Sequence, residues 1–237
     1  MTLSLAIPFY NEEKNINKVV SGLINSFEKA SIDYKLILVN NGSYDNSPRI
    51  LENLANEKPD RITVVHVEVN QGYGWGIISG LRLADSDYVG YMCGDGQTKP
   101  DDVVGVYRLI EQDKCNLAKA KRISRGDGLW RRTISFVFNR LFWIMFRVPS
   151  QDINGTPKIF KRDWLEKLYP TSKDWFIDAE VMIKARYLAM KIGEVPTEFL
   201  PREKGKSHVA LATSLEFIKN MLSYRFLGGI KQWKQSI

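Results

Sequence analysis

The stretch KLILVNNGSYD, residues 35–45, decides the fold. After Lys35, residues 36–39 form a short apolar run, typical of a strand buried on both faces, and a polar turn with glycine follows at once. Similar apolar runs followed by polar turns occur before and after it. In a parallel sheet the turns that follow the strands meet at one edge, and such sheets bind their ligands there.

The first half of the chain alternates between these runs and helical patterns. We predict strands over Leu3–Pro8, Lys35–Val39, Ile62–Val67 and Tyr88–Met92. Apolar residues at helical spacing predict helices over Glu12–Ala30, Ser47–Ala55, Gly76–Ala84 and Asp101–Ile110. Strands and helices in turn, joined by short connections, predict right-handed βαβ units in a mostly parallel α/β sheet flanked by helices.

The second half loses this alternation. It opens with a basic stretch, Lys119–Arg132, and an aromatic, amphipathic segment, Trp130–Val148. Beyond these we predict strands over 158–160 and 192–196, helices over 163–168 and 176–191, a basic loop over 201–208 and a final helix over 210–233.

The composition excludes several classes of protein. The 237 residues, 44% hydrophobic and 26% charged, suit one large globular domain and exclude wholesale disorder. Two cysteines without a CxxC pair argue against a disulfide scaffold or a structural zinc site and fit a reducing cytoplasm. The N-terminus lacks the basic region of a signal peptide, and Ile134–Val148, the longest nearly apolar stretch, is too short and too charged to span a bilayer.

Charge is distributed unevenly along the chain. Residues 1–118 carry 11 Lys and Arg against 16 Asp and Glu, a net charge of −5. Residues 119–237 carry 23 Lys and Arg against 11 Asp and Glu, a net charge of +12. A basic half of this kind points to nucleic acid, an anionic membrane or a phosphate-rich substrate as the partner.

Several short segments resemble a known family. In the first half they are PFYNE (8–12), VNNGSYD (39–45), NQGYGWGIISG (70–80) and DGQ (95–97). In the second half they are Arg122, Asp152 before Asn154-Gly155-Thr156, Asp178 with Glu180, and REKGKS (202–207). In this order, over about residues 3–208, they resemble the family 2 glycosyltransferases of the GT-A fold. The resemblance is closest to the polyprenyl- and dolichyl-phosphate sugar synthases.

Two positions depart from the family pattern. The family usually has two aspartates where this chain has Asn40 and Asn41, and Cys93 replaces the first acid of its DxD segment. Cysteine is a poor ligand for Mg²⁺, so we expect metal binding to be weaker than in relatives with both acids.

The resemblance implies a nucleotide-sugar site at the ends of the first strands. The residues that it assigns to this site are Pro8, Tyr10, Glu12, Asn40, Asn41, Asn70, Gly74 and Asp95. Asp95 is the expected ligand of a divalent metal, Mg²⁺ or Mn²⁺, although an acid before a helix can also be a simple turn or capping residue. The side-chain oxygen of Asn41 can accept the single N3–H of uracil, which favours UDP over GDP.

The resemblance also implies catalytic residues and a site for an acceptor phosphate. The catalytic candidates are Asp95, Gln97, Arg122, Asp152 and Asp178. The candidates for the acceptor phosphate are Arg122, Arg125, Arg131, Arg202, Lys204, Lys206 and Ser207. Asp152 and Asp178 can instead be capping or turn acids, and each cation alone can be a solvated surface residue.

Two amphipathic segments suggest how the chain meets a membrane. Residues 130–148 and the basic residues 209–237 have apolar and cationic faces typical of helices that lie at a lipid surface. A buried core helix or a dimer helix is the alternative for 130–148, which leaves a homo-oligomer open. We therefore divide the chain into a GT-A domain, 1–208, and a C-terminal helix, 209–237. The domain comprises a nucleotide-sugar half, 1–118, and an acceptor half, 119–208.

Together these features predict an inverting glycosyltransferase. It would transfer a sugar from a nucleotide diphosphate to polyprenyl phosphate while peripherally bound at the cytoplasmic face of the membrane, without binding nucleic acid. The main alternative is a family 2 transferase with a hydroxyl acceptor in a polysaccharide or lipid-linked glycan, in which Asp178 or Glu180 would act as the base. Remote alternatives are a transferase-like protein without catalysis and a basic protein that binds nucleic acid.

Overall fold

The structure, a computed structural model, describes residues 1–125, 139–201 and 211–236. Of residues 124–125 and 211–215 it describes the backbone alone. The strands are β1 (Thr2–Phe9), β2 (Asp33–Asn41), β3 (Ile62–Val67), β4 (Tyr88–Tyr91), β5 (Leu117–Arg125), β6 (Lys158–Lys161) and β7 (Ile192–Phe199).

The helices flank one sheet. They are α1 (Ile16–Lys29), α2 (Ser47–Glu57), α3 (Tyr73–Leu81), α4 (Pro100–Glu111), α5 (139–146), α6 (Asp163–Leu168), α7 (Ile177–Tyr187), α8 (Leu211–Phe226) and α9 (Gly229–Ser236). In α1 the apolar residues at helical spacing, from Ile16 to Phe27, are buried. Helix α7 has buried residues on every side, from Ile177 to Ala185, which is why its sequence shows little periodicity.

Seven strands form the sheet in the order β3-β2-β1-β4-β6-β5-β7. Strands β1 to β4 are mutually parallel, and β1 lies at their centre with seven of its eight residues buried. Strand β6 runs antiparallel to both of its neighbours, β4 and β5, while β5 and β7 pair in parallel. The predicted mostly parallel sheet flanked by helices is confirmed.

The second half differs from the sequence prediction in two places. Lys119–Arg132 reads as a basic stretch in the sequence, but its first part belongs to β5, which continues the sheet across the predicted boundary at residue 118. The predicted helix over 210–233 is two helices, because the chain turns at Gly228 with a positive φ of 93°. Glycine adopts that conformation without the strain a Cβ would cause.

Candidate active site

The carboxyl ends of β1, β2 and β4 meet at one edge of the sheet. Phe9 of β1 lies opposite Asn40 of β2, and Ala6 lies opposite Tyr91 of β4. The polar residues that follow these strands therefore come together, as the order of the segments in the sequence predicts.

The turns after β1 and β2 are joined by hydrogen bonds. The Asn11 N–H donates to Ser43 Oγ over 3.0 Å, and the Tyr44 N–H donates to Asn11 Oδ1 over 3.0 Å. The Glu13 N–H donates to Asp45 Oδ2 over 3.2 Å. These three hydrogen bonds hold the two turns together at the edge of the sheet.

Three residues assigned to the nucleotide sugar border this edge. Pro8 lies under α3, where a Cβ on Gly76 would come within 2.8 Å of its ring. Tyr10 packs edge-on against Tyr44, with ring centroids 6.1 Å apart. Glu12 is buried, and its carboxylate accepts a hydrogen bond from the Asn15 amide. Pro8 and Glu12 thus support the wall of the site, and their contact with a nucleotide stays a prediction.

Asn40 and Asn41, which replace the two aspartates of the family pattern, have different surroundings. The Asn40 side chain accepts the Ser43 N–H over 3.0 Å and contacts His66 Nδ1 at 3.2 Å. The Asn41 amide donates to the Gly72 carbonyl over 3.0 Å, whereas its Oδ1 is buried without a hydrogen-bond partner among the described residues. A buried acceptor without a donor is costly, so Asn41 Oδ1 is a natural point for a ligand N–H.

The glycine-rich segment, residues 70–80, packs against the residues that precede α7. Asn70 Oδ1 accepts the Gly72 N–H over 2.7 Å, forming a local turn before α3. A Cβ on Gly74 would lie 2.2 Å from the Ser172 carbonyl oxygen. Gly74 therefore lets the start of α3 touch the segment that leads into α7, and its contact with a nucleotide stays a prediction.

Asp95 and Gln97 lie in the turn after β4. Asp95 is partly exposed, and its Oδ1 accepts the Gln97 N–H over 3.1 Å. The Gln97 side-chain amide donates to the Leu200 carbonyl over 2.8 Å, and the Leu200 N–H donates back to the Gln97 carbonyl over 2.9 Å. Gln97 thus ties this turn to the end of β7.

Cys93 stands beside Asp95 as a neutral thiol. Burial, together with the negative charge of Asp95, raises its pKa to about 12. Its Sγ contacts the Tyr73 hydroxyl at 3.0 Å, and the Tyr73 ring stacks on Trp175 with centroids 4.5 Å apart. Sequence reasoning missed Tyr73 and Trp175; for Tyr73 the available signal was an aromatic residue between two glycines.

Asp178, at the start of α7, is held by two donors. Its Oδ1 accepts hydrogen bonds from the Tyr91 hydroxyl, over 3.0 Å, and from the Lys158 ammonium group. Lys158 is fully buried in β6 and forms an ion pair with Asp178. No described residue donates to Asp178 Oδ2. Lys158 is a third residue of the site that the sequence pattern did not indicate.

Glu180 has a structural role. It is fully buried, and its carboxylate accepts the backbone N–H groups of Thr171 and Ser172 over 3.1 and 2.7 Å. The Thr171 hydroxyl and the Lys184 ammonium group also donate to it. Because both oxygens of Glu180 accept hydrogen bonds from the protein itself, Glu180 holds the segment before α7 and is not positioned as a base.

Arg122 and Asp152 form a buried pair of their own. The Arg122 Nε and Nη2 atoms donate to Oδ2 and Oδ1 of Asp152 over 2.8 and 2.6 Å. Burial would raise the pKa of Asp152, but the hydrogen bonds and charge of Arg122 outweigh it and hold that pKa well below its usual range. This pair does not use Nη1 of Arg122. The binding of an acceptor phosphate by Arg122 stays a prediction.

Lys119 lies beneath this pair. Its ammonium group donates to the backbone carbonyls of Ala120 and Asp152 over 2.7 and 2.5 Å. Burial, reinforced by the positive charge of Lys158, lowers the pKa of Lys119 to about 8. Lys119 and Lys158 are opposite residues of β5 and β6, so two buried cations lie side by side under the site.

Most of the predicted phosphate ligands lie outside the described residues. These are Arg131, Arg202, Lys204, Lys206 and Ser207, and of Arg125 only the backbone is described. Within the described part, no group of three or more His, Cys, Asp and Glu side chains is arranged to hold a metal ion. Asp95 is the carboxylate of this edge that could supply one ligand, with the remaining ligands coming from the substrate.

Comparison with known proteins identifies the family. The model of glycosyl transferase family 2 matches residues 4–169, more than half of the chain. The chain belongs to this family. A relative in Proteus mirabilis, an undecaprenyl-phosphate 4-deoxy-4-formamido-L-arabinose transferase, is 30% identical over 222 residues, which are 93% of this chain and 67% of the relative.

Two further comparisons support the assignment of this family 2 glycosyltransferase. A dolichyl-phosphate beta-glucosyltransferase of Trichomonas vaginalis is 25% identical over 250 residues, 98% of this chain and 75% of the relative. Glucosyl-3-phosphoglycerate synthase from Mycobacterium tuberculosis shares the fold, with a TM-score of 0.74 at 20% identity over 94% of this chain and 80% of that one. The predicted enzyme class and the resemblance to polyprenyl-phosphate sugar synthases are confirmed.

Proposed function

We propose that the enzyme transfers a sugar from a UDP-sugar to polyprenyl phosphate at the cytoplasmic face of a membrane. A phosphate oxygen of the lipid attacks the anomeric carbon of the sugar as the bond from that carbon to the diphosphate breaks. The diphosphate leaves with the bonding electrons as UDP, and the configuration at the anomeric carbon inverts. The nucleophile is already an anion, so the reaction needs no general base.

The observation that supports this proposal is that both acids at the start of α7 accept hydrogen bonds from the protein itself. Glu180 receives its donors from the fold, and Asp178 receives the Lys158 ammonium group and the Tyr91 hydroxyl on one oxygen. Donors from the protein therefore already occupy both oxygens of Glu180 and one oxygen of Asp178. This supports an acceptor that arrives deprotonated, such as the lipid phosphates on which the two relatives act by name.

The donor proposal rests on Asn41. Its buried Oδ1 lacks a described donor, and the N3–H of uracil is a single donor of the matching kind. Guanine presents two adjacent donors, which a carboxylate would satisfy better than an amide does. Several solved structures of the M. tuberculosis synthase contain UDP, one of them together with Mn²⁺ and glucosyl-3-phosphoglycerate.

Asp95 fits a divalent cation, Mg²⁺ or Mn²⁺. It offers a partly exposed carboxylate after β4, and carboxylate oxygens suit both ions. A bound cation would neutralise charge on the departing diphosphate. Cys93 adds no negative charge here, because its thiol stays protonated at neutral pH. We therefore propose a site with one protein carboxylate, completed by the donor.

The acceptor half supplies the positive charge. Arg122 has one nitrogen beyond its pair with Asp152, and the stretch from Arg202 to Ser207 follows β7 directly in sequence. Guanidinium and ammonium groups suit phosphate oxygens. We propose that these residues, with Arg125 and Arg131, bind the phosphate of the acceptor.

Replacing Asp178 tests the acceptor class. Asp178→Asn should keep turnover with UDP-sugar and a short-chain polyprenyl phosphate within about tenfold of wild type, because no proton is removed. Loss of a general base would instead reduce turnover by about 10²–10⁴-fold. Assays with lipid phosphate and with glycan acceptors, each run with a panel of UDP- and GDP-sugars, measure this directly. A loss of that size, or transfer to glycan hydroxyls alone, would favour the hydroxyl-acceptor alternative.

A further inference from the structure

Helix α8 has an apolar stripe that is exposed in the described part of the chain. On its inner side Phe217 and Met221 are buried, and the Phe217 ring packs on Phe176 with centroids 5.2 Å apart. On its outer side Ile218, Leu222 and Phe226 recur every four residues and are 42%, 46% and 71% exposed. A four-residue repeat places them on one face of the helix.

The stripe continues beyond the helix and is bordered by cations. Leu227, the next residue, is 77% exposed. Between residues 216 and 236 the charged residues are Glu216, Lys219, Arg225, Lys231 and Lys234, a net charge of +3. An apolar stripe with a cationic border is typical of a helix that lies in the surface of an anionic bilayer.

A second exposed patch has the same character. On α5, Leu141, Trp143 and Ile144 are 46%, 37% and 52% exposed. The guanidinium groups of Arg140 and Arg147 lie over the Trp143 ring, 5.0 and 4.5 Å from its centroid. Tryptophan flanked by arginine suits the headgroup region, where an aromatic ring meets both apolar chains and phosphates.

The two patches approach each other at the end of α7. Arg186 donates to the backbone carbonyl of Arg147, which follows α5, over 3.2 Å. The adjacent Tyr187 packs against Trp233 of α9, with ring centroids 6.4 Å apart. Residues of α5 and α9 therefore border neighbouring positions on α7.

We propose that the outer faces of α5, α8 and α9 form a docking surface for an anionic phospholipid bilayer. The apolar side chains of Leu222, Phe226 and Leu227 enter the acyl boundary, and Lys231 and Lys234 contact lipid phosphates. A second copy of the chain is a poorer occupant, because a two-fold contact would bring two cationic borders together. The inference rests on the proposed function, since a polyprenyl phosphate resides in the bilayer that this surface would touch.

Vesicle sedimentation tests the surface without any substrate. Wild type should sediment with phosphatidylglycerol vesicles and much less with phosphatidylcholine vesicles. Phe226→Ser with Leu227→Ser should weaken binding at least about tenfold, and Lys231→Gln with Lys234→Gln should reduce the preference for anionic lipid. Matched controls are Leu83→Ser, an exposed apolar residue of the first half, and Lys29→Gln with Lys114→Gln. Thermal unfolding of each variant checks its fold.

The outcomes separate this inference from the proposed function. The Phe226 and Leu227 variant should keep wild-type turnover on a short, water-soluble prenyl phosphate and lose it on a long-chain acceptor in vesicles. The inference would be overturned if that variant bound vesicles as strongly as wild type, or if the control variants lost as much binding. It would also be overturned if wild type formed a dimer that the variant dissociated. If wild type transferred no sugar to the short acceptor, the proposed function would be contradicted. The vesicle-binding result would still test the docking surface by itself.

Discussion

Lys35 and Asp85 form an ion pair whose side chains are 49% and 58% exposed, whereas those of Lys158 and Asp178 are 0% and 5% exposed. The contrast extends along the chain. Among the described residues the other ion pairs whose side chains are both at most 20% exposed are Lys119–Glu194, Arg122–Asp152 and Lys184–Glu180, all after residue 118. The first half keeps its ion pairs at the surface and presents neutral amides at the open edge.

This difference indicates which kind of interaction each half offers to a ligand. Neutral amides recognise a base edge by the direction of their hydrogen bonds, while net positive charge attracts a charged acceptor. The four pairs are internally neutral, so the net charge of +12 in the second half resides outside them. The predictions below test the contrast, beginning with the largest expected effect.

Lys158→Met should have the largest effect. It leaves the Asp178 carboxylate buried without its cation, which typically costs about 3–5 kcal/mol of unfolding free energy. Urea unfolding monitored by circular dichroism measures this loss. A loss below about 1 kcal/mol would mean that water screens the pair and that the second half does not differ from the first.

Acid should destabilise the wild type through Asp152. The pKa of Asp152 is lowered in the folded state, so its contribution is present above the usual aspartate pKa of about 4 and is lost as pH falls toward the folded value. Between pH 6 and pH 3 the unfolding free energy of the wild type should therefore fall more steeply than that of Asp152→Asn. Parallel curves for the two proteins would contradict the assignment.

Cys93→Asp should strengthen metal binding. A second carboxylate beside Asp95 adds a charged oxygen ligand, and we expect the affinity for Mn²⁺ in the presence of UDP to rise about tenfold. Calorimetric titration measures it, with Cys93→Ala as the matched control. Equal affinities in the wild type and both variants would show that position 93 does not face the metal.

Asn41→Ala should weaken UDP binding. Removing one hydrogen bond to the base costs about 1 kcal/mol, a loss of about fivefold in affinity. The loss should be smaller for a nucleotide that lacks the N3–H, such as N3-methyl-UDP, when both are measured by calorimetry. An identical loss for the two nucleotides would place the base elsewhere.

Lys35→Met should have the smallest effect and serves as the surface counterpart of Lys158→Met. Exposed ion pairs contribute about 0–1 kcal/mol, and salt screens them. Urea unfolding at low and high salt should give a difference from wild type within that range. A loss matching that of Lys158→Met would remove the contrast between the two halves.

The first half was predictable because its signals are local. Apolar runs such as residues 36–39 specify buried strands, and the rule that parallel strands bind ligands at their carboxyl ends brings Asn41 and Asp95 to one edge. The resemblance added residue roles, and those of Asn41 and Asp95 stay predictions.

The second half was less predictable because its buried residues are charged. Strand β5 carries Lys119, which reads as a surface residue until its partner Asp152, 33 residues away, is placed beside it. Lys158 likewise meets Asp178 across 20 residues. No local pattern encodes such contacts, whereas the two glycines at 228 and 229 were a local signal for the break between α8 and α9.

The hydrogen bonds between Gln97 and Leu200 join parts of the chain that are 103 residues apart. On one side they hold the turn of Asp95, and on the other they hold the end of β7, after which the basic stretch from Arg202 begins. Any coupling between the binding of two ligands is thermodynamically reciprocal. For the proposed donor and acceptor, the factor by which UDP changes the affinity for lipid phosphate must equal the factor by which lipid phosphate changes the affinity for UDP.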